Sequence, residues 1–322
     1  MWAHALTAPE TFERVLVPTP RPANLDDGQV LLRTLAGGIC GSDLPIFRGR
    51  RSWLWQDDAG GARSVPGFPM HEVVGEVVAS LHPDLAAGDR VVGWASGCDA
   101  LAEFVVCSGD ELAPFGAHLR PEVAILLQPL ACVLYAVDQL GRVDGSTAAV
   151  IGLGPIGLLF THVLKSRGAA RVIGVDRADR SDVADAFGVD EYAHLSSDTW
   201  AGGLGDADRP DIVVEAVGHQ VSTMTDVVTA AAPGGRVHYF GLPDDATYPF
   251  PMMTFLRKNL TLVSGVTRDR RRALIGAGSY LAAHRDLEST YVTDVFPMDH
   301  VQQAFATAAA PKRGQVKVAV TT

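Results

Sequence analysis

The chain has 322 residues, 47 % of them hydrophobic and 20 % charged, which is enough apolar material for a sizeable core and fits about two domains. Its net charge of −10 argues against a general nucleic-acid or anionic-membrane partner, and no apolar run reaches the roughly 18 residues of a membrane span. Four cysteines (Cys40, Cys98, Cys107, Cys132) are too few for a disulfide scaffold and the opening residues lack a signal-peptide pattern, so a cytoplasmic protein with reduced thiols is expected.

In chain order, QVLLRTLA (29–36), EVVGEVVAS (72–80), DRVVGWA (89–95) and EFVVCS (103–108) are short strand-like runs separated by Gly, Pro and Asp. They predict a β-rich first third. From TAAVIG (147–152) the pattern changes to apolar strands alternating with helical stretches, PIGLLFTHVLKSRG (155–168) and RADRSDVADAFG (177–188). RVIGVD (171–176), DIVVEAVG (211–218), RVHYFG (236–241) and LTLVSG (260–265) are the other strand candidates. Buried strands alternating with helices imply a parallel, doubly wound sheet and an α/β fold. The tail from Met298 reads as a helix followed by a strand.

Within the alternating region, Gly152, Gly154 and Gly157 have the G-x-G-x-x-G spacing, with Pro155 and Ile156 inside it. The spacing alone is weak. Its context, between a strand-like and a helix-like run, makes it a dinucleotide fingerprint. Gly152 permits the tight turn, Gly154 the approach of a pyrophosphate, and Gly157 close packing of helix on strand; the helix N-terminus offers N–H groups to the phosphates. Asp176 ends the next strand-like run. It can accept hydrogen bonds from a ribose diol and would repel a 2′-phosphate, which favours NAD. Arg177 keeps NADP open, because an arginine there can pair with a phosphate.

GFPMHEVVGEVV (67–78) places His71 beside Glu72, and Cys40 precedes both. A histidine alone is commonly a structural hydrogen-bonder, and a cysteine alone a buried thiol. A thiolate, an imidazole and a carboxylate ahead of a dinucleotide fold suggest a catalytic zinc with a position open for substrate.

The chain resembles the zinc-dependent medium-chain alcohol and polyol dehydrogenases nearly end to end. GICGSD (38–43), HEVVGEVV (71–78), GDRVVG (88–93), QPLACVLYA (128–136), IGLGPIG (151–157) with Asp176, EAVG (215–218) and GGRVHYFG (234–241) carry the likeness by order and spacing. The resemblance implies a GroES-like catalytic domain, 1–129 with 267–322, and a Rossmann coenzyme domain, 130–266. It implies that Cys40 and His71 bind zinc and that Glu72 lies at or near the metal. Asp43 then orients His71, and the Ser42 hydroxyl takes the substrate proton. Phe240, Gly241 and Leu242 are expected near the nicotinamide, Arg180 near the adenosine ribose and Lys317 at the pyrophosphate. Relatives are homodimers or homotetramers.

The sequence departs from that family in four places. Gln128 stands where relatives carry a charged zinc ligand, with Cys132 about one helical turn further on. Only Cys98 and Cys107 occupy the stretch where many relatives hold a structural zinc with four cysteines, so a single catalytic zinc is expected. Pro45 replaces a histidine that ends the proton relay. Met70 replaces a glycine and is expected to reshape the pocket wall. Phe47, Trp53 and Trp55, with Arg48, Arg50 and Arg51, line either a substrate mouth or an ordinary surface loop.

These residues point to hydride transfer between NAD and a secondary hydroxyl of a polyol, sugar or cyclitol. Two alternatives remain open at this level: a redox-neutral epimerase with retained NAD, and a non-catalytic nucleotide-binding member of the family.

Overall fold

A computed structural model describes residues 1–50 and 65–322. Its strands, in chain order, are β1 (Trp2–Ala8), β2 (Thr11–Leu16), β3 (Gln29–Gly38), β4 (Glu72–Ser80), β5 (Arg90–Trp94), β6 (Phe104–Ser108), β7 (Leu112–Pro114), β8 (Thr147–Ile151), β9 (Arg171–Asp176), β10 (Glu191–His194), β11 (Ile212–Glu215), β12 (Arg236–Tyr239), β13 (Thr261–Ser264), β14 (Val292–Pro297) and β15 (Lys317–Thr321). Two compact units result, Met1–Ala131 with Arg268–Thr322, and Cys132–Thr267. The first boundary falls inside the helix Leu127–Leu140, where no turn residue marks it in the sequence.

The first unit is built on a sheet ordered β14-β15-β3-β4-β5-β7, with β6 also paired to β3. From β3 and β4, Val30, Leu32, Val73 and Val77 join one core with Phe305 of the helix Val301–Ala309. Two expected pocket residues belong to this core. Met70 is fully buried, and its Sδ occupies the space that a Cβ at Gly37 would fill, 2.1 Å away. Phe47 is also buried, stacked on Phe12 and tilted against Phe305 at 5.8 and 5.2 Å between ring centres. The extra volume of Met70 is therefore absorbed by the missing side chain at Gly37 instead of the pocket wall. Arg48 and Arg50 are exposed, while Arg51, Trp53 and Trp55 lie outside the described residues.

The second unit is a parallel sheet ordered β10-β9-β8-β11-β12-β13. With β8 as its first strand, this is the Rossmann order, whose direction of growth reverses between β8 and β11. β8 and β11 are buried on both faces, as their apolar sequences require. The carboxyl ends of β8, β9 and β11 therefore frame a crevice suited to a ligand.

Among the described residues, one helical stretch, Pro121–Leu140, has the length and hydropathy to cross a bilayer, but 78 % of its apolar window is buried inside the protein. It is a core element.

Candidate active site

β3 and β4 pair antiparallel, with Gly38 opposite Glu72. That register puts Cys40, two residues beyond the end of β3, and His71, the residue before β4, at the same edge. Cys40 Sγ, a ring nitrogen of His71 and a carboxylate oxygen of Glu72 lie within 4.8 Å of one another, a spacing that suits one metal ion.

Asp43 opens the short helix Asp43–Phe47 and is 2 % exposed. Its Oδ2 accepts the Cys40 backbone N–H at 2.8 Å, and its Oδ1 lies 3.1 Å from His71 Nδ1. An ionised carboxylate only accepts, so Nδ1 donates to Asp43, which leaves Nε2 as the nitrogen available to a metal ion. Burial works against the His71 imidazolium, but the charge and hydrogen bond of Asp43, helped by Cys40, raise its pKa well above the ordinary value. Ser42 is half-buried in the turn between Cys40 and Asp43, and Pro45 lies within the short helix.

Glu72 is buried, and its Oε1 accepts from Lys317 Nζ at 2.6 Å. Lys317, expected at a pyrophosphate, is 2 % exposed and is committed to this ion pair. Burial lowers the Lys317 pKa, yet the negative charges of Glu72, Cys40 and Asp43 outweigh it and the net shift is upward. Among the described residues, Glu72 Oε2 is buried without a hydrogen-bond partner. A Cβ at position 38 would come within 2.1 Å of it and within 2.5 Å of Ile125 Cγ2, so only glycine leaves room for this carboxylate. Gln128 is buried one turn after Ile125, its N–H donating to the Ile125 carbonyl at 3.3 Å.

In the second unit, a cleft of about 220 Å³ is lined by Gly152, Gly154, Asp176, Arg177, Val217 and Gln220, among others. Gly152 has φ +92°, and a Cβ on Gly157 would stand 1.7 Å from the Gly152 carbonyl oxygen. Among the described residues, apart from its chain neighbours, none brings an atom within 4 Å of the absent Cβ of Gly154, so the backbone is open to a ligand there. The helix Pro155–Ser166 starts at Pro155, with Ile156 half-buried beside it. Asp176 caps the end of β9: its Oδ2 accepts the Leu153 N–H at 2.6 Å and its Oδ1 the Ala178 N–H at 2.8 Å. Each oxygen keeps a second lone pair for a ribose hydroxyl.

Arg180, expected at the adenosine ribose, is 5 % exposed and packs inward, with its backbone N–H donating to the Tyr192 hydroxyl at 2.8 Å. The basic residue lining the cleft is its neighbour in the loop, the exposed Arg177.

Phe240, Gly241 and Leu242 form the turn after β12. Glu215, at the end of β11, holds that turn, and the sequence reading missed its role. Its buried carboxylate accepts from the N–H groups of Val217 and Gly218, both at 3.1 Å, and of Gly241 at 3.2 Å. Burial raises its pKa, partly offset by the N–H donors of Gly218, Val217 and Gly241 and by the Thr223 side chain. The Leu242 carbonyl accepts from His219 N–H at 2.8 Å, and Phe240 stacks edge-on against Phe160 at 5.0 Å. The available signal was an acidic residue ending a buried apolar strand directly before a glycine turn.

Cys98 and Cys107 are buried and not joined in a disulfide, and burial raises the Cys107 pKa.

Comparison with known proteins gives two family matches. The alcohol dehydrogenase GroES-like domain matches residues 26–117, and the zinc-binding dehydrogenase domain matches residues 155–276. D-altritol 5-dehydrogenase of Agrobacterium fabrum is 31 % identical, covering 83 % of this chain and 85 % of its own length. D-arabinitol dehydrogenase 1 of Uromyces fabae is 27 % identical over 92 % of this chain and 90 % of its own. L-threonine 3-dehydrogenase of Bacillus subtilis is 25 % identical over 95 % and 94 %.

Proposed function

Since the chain belongs to the zinc-dependent medium-chain alcohol and polyol dehydrogenases, we propose that it oxidises a secondary hydroxyl of a polyol, sugar or cyclitol, with NAD as hydride acceptor and one catalytic zinc. The convergence of Cys40, His71 and Glu72, with Asp43 behind them, carries this reading. A thiolate, an imidazole that gives up its Nε2 proton to the metal, and a carboxylate form a donor set suited to zinc, and Gln128 is the further candidate ligand.

A zinc ion held by Cys40, His71 and Glu72 would supply Lewis-acid polarisation of the substrate C–O group, and a nicotinamide coenzyme would supply the hydride acceptor. Asp43 fixes the His71 ring so that Nε2 faces the donor cluster. The Ser42 hydroxyl accepts the substrate proton and passes it outward; Pro45 has no group to carry it further, so the route continues through water, a coenzyme ribose hydroxyl or another residue. Each turnover thus moves one hydride to the coenzyme and one proton to solvent.

In the second unit, the N-terminus of the helix Pro155–Ser166 and the open backbone at Gly154 suit a pyrophosphate. The spare lone pairs of Asp176 suit a ribose diol and oppose a 2′-phosphate, which is the ground for NAD over NADP. Phe240, Gly241 and Leu242, held by Glu215, form the wall assigned to the nicotinamide.

The substrates named for the three relatives all carry a secondary hydroxyl beside another polar group. The highest identity of the three is to the D-altritol enzyme, which supports a polyol. The test is NADH formation with zinc present, across D-altritol, D-arabinitol, a cyclitol and L-threonine. Many turnovers on a polyol or cyclitol are expected. Turnover confined to L-threonine would replace the substrate class, and isomerised product with no NADH would replace dehydrogenation by epimerisation.

The second unit also suits self-association into a homodimer or homotetramer. β13 is an edge strand with Leu262 exposed, and Met252, Met253 and Leu256 on the helix Met252–Arg257 are each more than 60 % exposed. Light scattering on the purified protein tests this; a monomer at micromolar concentration contradicts it.

A further inference from the structure

We propose that Lys317 is a positioning residue for the metal centre: it holds Glu72 in place and its charge limits how tightly the site binds a divalent cation. This rests on the metal assignment above.

Three strands deliver the relevant groups to one edge. β15 pairs antiparallel with β3, with Ala319 opposite Gly38, and the Ile39 N–H donates to the Val318 carbonyl at 3.1 Å. Continuing that register puts Lys317 opposite Cys40, while β4 brings in Glu72. The Lys317 side chain is 3 % exposed and that of Glu72 1 %, and their 2.6 Å contact is out of water. Ion pairs so deeply buried lose most of the hydration of both partners and contribute little to stability as a rule. The placement of this one, on a carboxylate that also belongs to a cluster of metal donors, gives it a second consequence.

Charge decides its sign. With Cys40 as thiolate, and Glu72 and Asp43 ionised, three negative charges face the site. Lys317 reduces them to a net −2, equal and opposite to a zinc ion. Removing the ammonium leaves Glu72 with neither oxygen paired and restores the third uncompensated charge. A dication then binds more tightly, since attraction in a buried site is weakly screened. An ammonium serving only as packing would have no such effect on metal affinity.

The experiment is competition between the protein and a chromogenic chelator for zinc alone, without coenzyme or substrate. Lys317→Met is expected to tighten zinc binding by about tenfold or more, and Lys317→Arg, which keeps the charge, to stay close to wild type. Unchanged or weaker binding in Lys317→Met overturns the inference. If Lys317→Met folds only when zinc is supplied, the metal has taken over the missing counter-charge and the inference stands. If it folds in neither condition, Glu72→Gln is compared with the double variant Glu72→Gln, Lys317→Met: tighter binding in the double variant supports the inference, and equal binding overturns it. A wild-type protein that binds no zinc overturns the metal assignment itself and the inference with it.

Discussion

Replacing Asp43 by asparagine removes one acceptor from a site that uses two. The carboxylate takes the Cys40 N–H on one oxygen and the His71 Nδ1–H on the other, at 2.8 and 3.1 Å, and is almost fully buried. An asparagine of the same shape has one acceptor oxygen. One N–H, that of Cys40 or of His71, must then face an amide NH₂ with no water to satisfy it. A hydrogen bond to a charged group contributes about 1.5–3 kcal/mol. Losing a group that orients a metal ligand typically costs about 10- to 100-fold in metal affinity. At about 1.4 kcal/mol per tenfold the two estimates coincide. Asp43→Asn is therefore expected to weaken zinc binding by about 10- to 100-fold in chelator competition. NAD binding, followed by quenching of protein fluorescence, should stay within about twofold, because it draws on other residues. Zinc affinity equal to wild type would refute the role given to Asp43.

Gly157→Ala drives a methyl group to 1.7 Å from the Gly152 carbonyl, which the turn cannot accept without moving. It should lower thermal stability by an amount typical of overpacking, about 1–3 kcal/mol, and weaken NAD binding at least about tenfold. Wild-type NAD affinity in a folded variant contradicts the close packing of that turn. Asp176→Ala should weaken NAD far more than NADP, measured by titration of each; equal losses contradict the specificity argument. His238 on β12 is 1 % exposed, and burial holds its pKa down at about 4. Its folded-state pKa lies below the unfolded value of about 6.5, so its contribution is complete above that pH and is lost as the pH falls towards 4. It amounts to at most about 3.5 kcal/mol. Urea denaturation of wild type and His238→Leu at pH values across that window should show the wild type losing more stability on acidification, and parallel profiles would exclude His238 as the cause.

The fold class was legible because buried parallel strands and a glycine fingerprint leave local patterns. The alternation from Thr147 onward announced the sheet, and the spacing of Gly152, Gly154 and Gly157 announced its ligand-facing turn. Cys40, Asp43 and His71 were legible as a group through the family likeness, and the β3–β4 register gives that grouping a geometric basis. Contacts between distant segments were not legible. Nothing local in GQVKVAV shows that Lys317 meets Glu72, because the contact depends on β15 pairing with β3. The fit of Met70 over Gly37 likewise needs both strands in register, and the burial of Phe47 needs Phe12 and Phe305 around it. Arg177 and Arg180 look alike in sequence; only the course of the loop after β9 turns one outward and the other inward. Glu215 was hidden because an acid in an apolar strand reads as an interruption until the N–H groups of two turns are seen to converge on it.

Zinc content per chain, measured on protein purified without chelator, tests the metal-dependent reading most directly. About one zinc per wild-type chain is expected from a single site of catalytic type, and almost none in folded Cys40→Ala. A wild type without zinc, or a Cys40→Ala variant that keeps it, would contradict the assignment of Cys40, His71 and Glu72 as the metal centre.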